Sequence, residues 1–258
     1  LDGEHFSEKF GRRNYMNDKF SNDEFNEPLN DELLEQIESV KKYGGFYISR
    51  YNISKRIVGE PYILKEGEHM PWVYKGFFGE CRRLQSVKGA WPWERITYST
   101  AYYFAKAIES KEIEAIFEDN YDYFVKKIAP AIKDNEAVKS HLVFGAEYDS
   151  VLEWFIETGV KTLAEITEDS TGWGNSPDTE NFPRDLVKTG SRKEWCANNI
   201  YDFAGNVKEW TQERYGNLNQ VIRGGSHSFY DAPVAYRGYV DTESWTCYIG
   251  FRIALYIK

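Results

Sequence analysis

A chain of 258 residues carrying 41 acidic against 32 basic side chains, net −9, has no basic stripe with which to displace counterions, which argues against nucleic acid or an anionic membrane surface as partner. No apolar run reaches the roughly 18 residues a bilayer crossing needs. Three cysteines, Cys81, Cys196 and Cys247, are odd in number and stand in no CxxC or other metal spacing, against a disulfide framework and leaving the redox compartment open.

Length alone allows one large domain or two small ones, with roughly three quarters of the unfolded surface buried. Aromatic residues reach 17 %, with 19 Tyr and 8 Trp. Tyr and Trp combine large rigid contact area with a polar tip, as interfaces favour; filling the core of a loop-rich fold is the use expected for most of them. The chain starts at Leu1 without a Met or a signal-like segment, which leaves the native start open, upstream included.

Residues 1–30 are polar with scattered rings and read as an extended arm. Asn30 then caps a helix, with Asp31 and Glu32 at its positive end and Leu33, Leu34, Ile37 and Val40 on one apolar face, stopped by Gly44-Gly45. Phe46 to Ile53 has strand composition. Val58 to Trp93 reads as loop with short strands, Trp72, Trp91 and Trp93 filling gaps beneath it. Ser99 or Thr100 opens a helix through Ala101, Phe104, Ala105 and Ile108. A second helix is expected over about 112–133, bent or ended near Pro130. Tyr148, Val151, Leu152 and Phe155 recur at helical spacing within a helix from Ala146 to Thr158. Residues 165–198 form a long polar loop, a length that compact domains keep for function or tie down. No repeat or linker divides the chain, so residues 1–40 are an arm and first helix packed on one domain, residues 41–258.

The most determined stretch is Asn199-Ile-Tyr-Asp-Phe-Ala-Gly-Asn-Val-Lys-Glu-Trp-Thr, followed by Val221-Ile-Arg-Gly-Gly-Ser and Ile249-Gly-Phe-Arg-Ile-Ala. Ala204-Gly205-Asn206 is a turn by composition. Arg223-Gly224-Gly225-Ser226 runs from a β-branched strand into a reversal. Between Ser226 and Ile249 periodicity disappears and Tyr, Phe, Trp, His and Asp accumulate.

These motifs, with Ala235-Tyr-Arg and Gly250-Phe-Arg-Ile-Ala, resemble the formylglycine-generating-enzyme (sulfatase-modifying factor) family, in an order and spacing far more specific than any one of them. Gly44-Gly-Phe-Tyr-Ile-Ser-Arg-Tyr is similar to that family's opening strand, and Tyr148 to Phe155 to its central helix. The resemblance implies an α+β fold, a large loop-rich variant of the C-type-lectin-like fold with few helices and a small antiparallel sheet. The C-terminal motif, with Thr171-Gly-Trp-Gly-Asn and Asn198-Asn-Ile-Tyr-Asp, is further similar to variable proteins of diversity-generating retroelements. These are bacteriophage or bacterial surface proteins with hypervariable C-terminal binding loops.

The enzymatic relatives use two cysteines after Arg-Gly-Gly-Ser to hold copper and the substrate thiol, soft ligands suited to that metal. By motif spacing Phe229 and Val234 stand there instead, so neither copper nor thiol chemistry is expected. The iron-dependent relatives need clustered histidines, whereas His5, His69, His141 and His227 form no HxxxH or HxxH pair, so no iron is expected either. Glu147 and Asp149, two apart on a helix, do not face each other; no catalytic residue is assigned.

The resemblance also implies a structural calcium, held by Asp202 and Glu209 through side chains and by Gly205 and Val207 through carbonyls, in keeping with the oxygen-rich coordination calcium prefers. The alternative is that Glu209 accepts turn amides with no ion.

What remains is a ligand-binding face from His227, Ser228, Phe229, Tyr230, Asp231, Tyr239, Asp241, Trp245 and Tyr248, too polar for a core and too aromatic for idle surface. For any single ring an inward, bracing position is an equal alternative, and Tyr236 and Phe251 are expected to be structural. The expected protein is a non-enzymatic, receptor-recognising variable protein at a virion, extracellular or cell surface. Its partner would be a protein or glycan on a target cell, and homo-oligomerisation stays open. The alternatives are an oxidase with an atypical site and a structural virion or envelope component.

Overall fold

The computed structural model describes residues 25–26, 30–55, 84–107, 138–177, 185–228 and 233–258. Most of the arm, Trp72, Cys81, the helix expected over 112–133 and Phe229, Tyr230 and Asp231 lie outside the described residues.

Chain order runs β1 (Phe25–Asn26), α1 (Asp31–Tyr43), β2 (Tyr47–Ile48), β3 (Ser54–Lys55), β4 (Leu84–Gln85), α2 (Tyr98–Ala107), β5 (Val138–Leu142), α3 (Gly145–Glu157) and α4 (Leu163–Thr167). It continues with β6 (Cys196–Ala197), β7 (Ile200–Tyr201), β8 (Lys208–Tyr215), β9 (Asn219–Arg223), β10 (Arg237–Asp241), β11 (Ile249–Phe251) and β12 (Ile253–Ile257). This is the α+β, loop-rich arrangement that the motifs imply: small sheets, few helices and long connections.

Helix α1 begins where Asn30 Oδ1 accepts the Leu33 amide at 2.9 Å and ends at Gly44 with φ 82°. Its inward face departs from the expected one. Leu33, Gln36 and Ser39 are buried, while Leu34 is half exposed. Gln36 turns inward because its amide donates to the buried Glu147 carboxylate. The helix is further tied by Glu35 to Lys139 at 2.6 Å and by Glu32 to Lys106 at 3.1 Å. The opening strand is also shorter than its composition suggests, covering Tyr47–Ile48 only.

The main sheet centres on β8, which pairs antiparallel with β1 and β9 and parallel with β11, while β10 extends it beyond β9. A second sheet sets β12 between β2 and β5. One core packs Ile53, Trp93, Phe104, Trp210, Ile222 and Phe251 against the main sheet. Another joins α3, through Tyr148, Leu152 and Phe155, to Trp173, Phe203 and Val234. Trp210 is fully buried and its indole N–H donates to the Ile96 carbonyl at 2.9 Å, so the second aromatic requirement, a partner for the polar tip, is met. Among the described residues no helix is long and apolar enough to cross a membrane.

Candidate functional site

The turn from Asp202 to Glu209 is buried along its whole length. Gly205 is needed there for close approach rather than for a left-handed backbone: a Cβ on it would come within 2.5 Å of the Asn175 nitrogen. The left-handed positions belong to Asp202, φ 57°, and Asn206, φ 71°. Asn206 Oδ1 accepts the Val187 amide at 3.0 Å and the Asn175 side-chain amide at 3.1 Å, and its own NH2 donates to the Val187 carbonyl at 3.0 Å. On the other side the Asn206 carbonyl accepts both the backbone N–H and Nδ1–H of His227, at 3.1 and 2.7 Å. One asparagine therefore fastens the long 165–198 connection to the start of the aromatic loops. That connection is also held at Thr189, which bonds Ala90, Gly89 and Val87.

Two carboxyls in the turn are deeply buried. Asp202 Oδ2 accepts the Gly190 amide at 2.7 Å. Glu209 Oε1 accepts from Arg252 Nε and Asn52 Nδ2, both at 2.7 Å. Burial pushes Asp202 up to about 6 and Glu209 up to about 7, the Asp202 charge adding to the latter and Arg252 opposing both. Their second oxygens, Asp202 Oδ1 and Glu209 Oε2, are buried without a hydrogen-bond partner. Two charged oxygens short of a donor fit a hard cation chemically. The Gly205 carbonyl accepts the Val207 amide at 3.0 Å and keeps one lone pair. Among the described residues no group of three or more His, Cys, Asp or Glu side chains is placed for a metal, so such an ion would rely on amide, carbonyl or water oxygens as well.

A second charged cluster is buried where β9 ends and β10 begins. Arg223 ends β9 and Arg237 begins β10, directly opposite each other. Asp149 of α3 receives Arg223 Nη2 on one oxygen at 2.6 Å and Arg237 Nη2 on the other. Arg237 Nε also donates to Glu213 at 2.8 Å. All four side chains are buried, and two acids balance two bases, the condition under which buried charge is tolerated. The Arg223 guanidinium stacks 4.6 Å from the Tyr148 ring centre. Helix spacing keeps Asp149 apart from Glu147, which instead receives His141 Nε2 at 2.9 Å.

The residues read from sequence as a binding face fall into distinct positions. His227 is buried, its ring held by Asn206, and burial lowers its pKa. Ser228, Asp241 and Trp245 are exposed, Trp245 at 59 %. Asp241 Oδ1 accepts the Glu243 amide at 2.8 Å and so shapes a turn. Tyr239 stacks on Tyr215, ring centres 3.8 Å apart. Tyr248 packs against the Trp93–Trp210 core, and its carbonyl accepts the Lys208 amide at 2.7 Å. Val234 and Phe251 are fully buried. The sequence reading did not single out Asn52 or Lys208. The Lys208 ammonium lies 5.1 Å from the half-buried Tyr236 ring, and burial lowers its pKa to about 8. Its position between Val207 and Glu209 on a buried strand was the available signal.

This arrangement, small sheets and few helices joined by long connections, is the C-type-lectin-like fold of the formylglycine-generating-enzyme type. Residues 137–257 match the family model of the Sulfatase-modifying factor enzyme 1-like domain. Among solved structures the chain is similar to Treponema denticola variable protein 1, at 19 % identity over 64 % of this chain and 70 % of that one, TM-score 0.39. It is also similar to CarF, at 18 % identity over 65 % and 68 %, TM-score 0.43. PvdO from Pseudomonas aeruginosa aligns at 16 % identity over 82 % and 80 %, TM-score 0.45. No curated protein matches.

Proposed function

We propose that this protein binds a ligand without turning it over, as a variable protein of the retroelement-diversified type that presents its Ser226–Tyr248 segment to a protein or glycan. The observation that carries the reading is chemical. No cysteine occurs between Cys196 and Cys247, so the segment following Arg223-Gly-Gly-Ser lacks the thiol pair on which the family's oxidation depends. The strand ends add support: Arg223, just before the segment, and Arg237, within it, are both held by Asp149, which fixes the end of β9 and the start of β10 between which part of the segment runs. A clasped base together with the exposed Trp245 in the same segment suits the preorganised, aromatic presentation that binding surfaces use to limit entropy loss.

A structural calcium at Asp202 and Glu209 belongs to the same proposal. When bound, the ion would neutralise the two buried carboxyls and stiffen the turn on which the loops rest.

Two measurements test the reading. Incubation of the full chain with a cysteine-containing sulfatase peptide, copper and oxygen is expected to leave the cysteine unchanged; formylglycine in the product would overturn the non-enzymatic assignment. Sequencing the flanking DNA is expected to find a near-copy of the 3′ codons beside a reverse-transcriptase gene, with differences between isolates confined to Ser226–Tyr248. Variation spread evenly over the chain would count against diversification.

A further inference from the structure

Three side-chain oxygens from separate parts of the chain are buried without a hydrogen-bond donor: Asn52 Oδ1, Asp202 Oδ1 and Glu209 Oε2. They belong to one neighbourhood. The Asn52 amide donates to Glu209 Oε1 at 2.7 Å. The segment carrying Asn52 lies along the turn, with the Tyr201 amide on the Arg50 carbonyl at 2.9 Å and the Tyr51 and Tyr201 rings stacked at 5.1 Å. Arg252 closes the other side, bonding Glu209, Ser49 and Tyr201.

Chemistry fixes the direction of the Asn52 amide. Glu209 Oε1 already accepts Arg252 Nε–H, so the group of Asn52 that faces it is the NH2, and the carbonyl oxygen is the end left without a donor. One water could offer only two hydrogens to three acceptors and would bring no charge. Arg252 supplies one positive charge against two buried carboxyls. A hard divalent cation satisfies all three oxygens and the remaining charge together.

We infer that Asn52 is a further ligand of the Asp202–Glu209 cation site, so that calcium clamps the opening segment of the domain to the turn beneath the loops. The inference rests on the calcium reading proposed above and adds to it a side-chain oxygen supplied from about 150 residues earlier in the chain than the turn. Bound ion would then couple the order of residues 49–53 to the order of the loop base.

The test uses calcium chloride and the full chain, by calorimetric titration and by thermal melting in EDTA against calcium. The wild type is expected to bind and to melt higher with the ion. Asn52→Ala is expected to weaken calcium binding by about tenfold or more. Asn52→Asp separates ligation from ordinary packing. It sets a third carboxylate beside Glu209, so its melting point falls in EDTA while the calcium-dependent rise becomes larger than in the wild type. If wild type binds calcium and neither variant changes affinity or the calcium-dependent rise, Asn52 is only a hydrogen-bond partner and the inference fails while the calcium site stands. Should Asn52→Ala not fold, the Asn52→Asp increment decides alone. Absence of any calcium-dependent heat or melting shift in the wild type would overturn both.

Discussion

Asp149 Oδ1 lies 2.6 Å from Arg223 Nη2, with both side chains fully buried. The same carboxylate takes Arg237 on its other oxygen, so one residue of α3 ties the end of β9 to the start of β10. Removing it strands two guanidiniums against a single remaining acid, Glu213. Breaking one partner of a buried ion pair typically costs about 3–5 kcal/mol. Asp149→Ala is therefore expected to lose stability of that order in urea unfolding. Asp149→Asn, which keeps size and one acceptor, is expected to lose less. Wild-type stability in Asp149→Ala would remove the clasp from the account of the loops.

Asn206 joins side-chain bonding to a left-handed backbone, and the two contributions separate by substitution. Asn206→Ala loses three hydrogen bonds, each worth about 1 kcal/mol net, and adds the left-handed penalty of about 1–2 kcal/mol. Asn206→Gly loses the bonds but not the conformation. Glycine is thus expected to destabilise less than alanine, by about 1 kcal/mol in equilibrium unfolding. In both variants the Val187 amide, now without its acceptor, is expected to exchange its hydrogen faster. Equal stability of the two variants would mean that backbone strain plays no part.

The raised carboxyls give the metal-free protein a pH dependence of defined sign. Burial lifts Asp202 from 3.8 to about 6 and Glu209 from 4.5 to about 7. Between the unfolded and folded values the folded chain holds more protons than the unfolded one, so stability falls as pH rises. In EDTA, unfolding free energy is expected to decline from about pH 4 to about pH 7 and to level off above that, as far as these two groups decide it. Glu209→Gln should flatten the upper part of that decline, and saturating calcium should suppress it. A wild-type profile that climbs through the same window would contradict the burial assigned to these groups.

Much of the fold was legible because its signals are local. Asn30, Gly44 and the apolar spacing of Tyr148 to Phe155 act within a turn or two of helix, and they lie where the sequence set them. The Asn199–Phe251 motifs were legible for the same reason. What escaped were pairings between distant positions. Asp149 meets Arg223 and Arg237 across 74 and 88 residues, and no spacing rule links a helix acid to two strand arginines. Leu34 looked inward on helical periodicity, but Gln36 took the inner position because a buried carboxylate awaited it. Gly205 was readable as part of a turn, but the demand for glycine comes from Asn175, which is near only after folding.

Trp210 and Trp245 offer the sharpest division between support and presentation. Trp210 is fully buried, bonded to the Ile96 carbonyl and edge-on to Tyr98 at 6.0 Å. Trp210→Ala is expected to cost about 3–5 kcal/mol, through lost burial and the cavity left behind. Trp245 is 59 % exposed in the turn before β11. Trp245→Ala is expected to change stability by no more than about 0.5 kcal/mol, since little apolar surface returns to water. In a glycan array or a binding screen with whole target cells, the same variant is expected to lose most of the wild-type signal, because exposed aromatic anchors carry a large share of interface energy. Full retention of a specific wild-type signal by Trp245→Ala would move the binding face away from this turn. A large drop in its stability would instead make Trp245 part of the support.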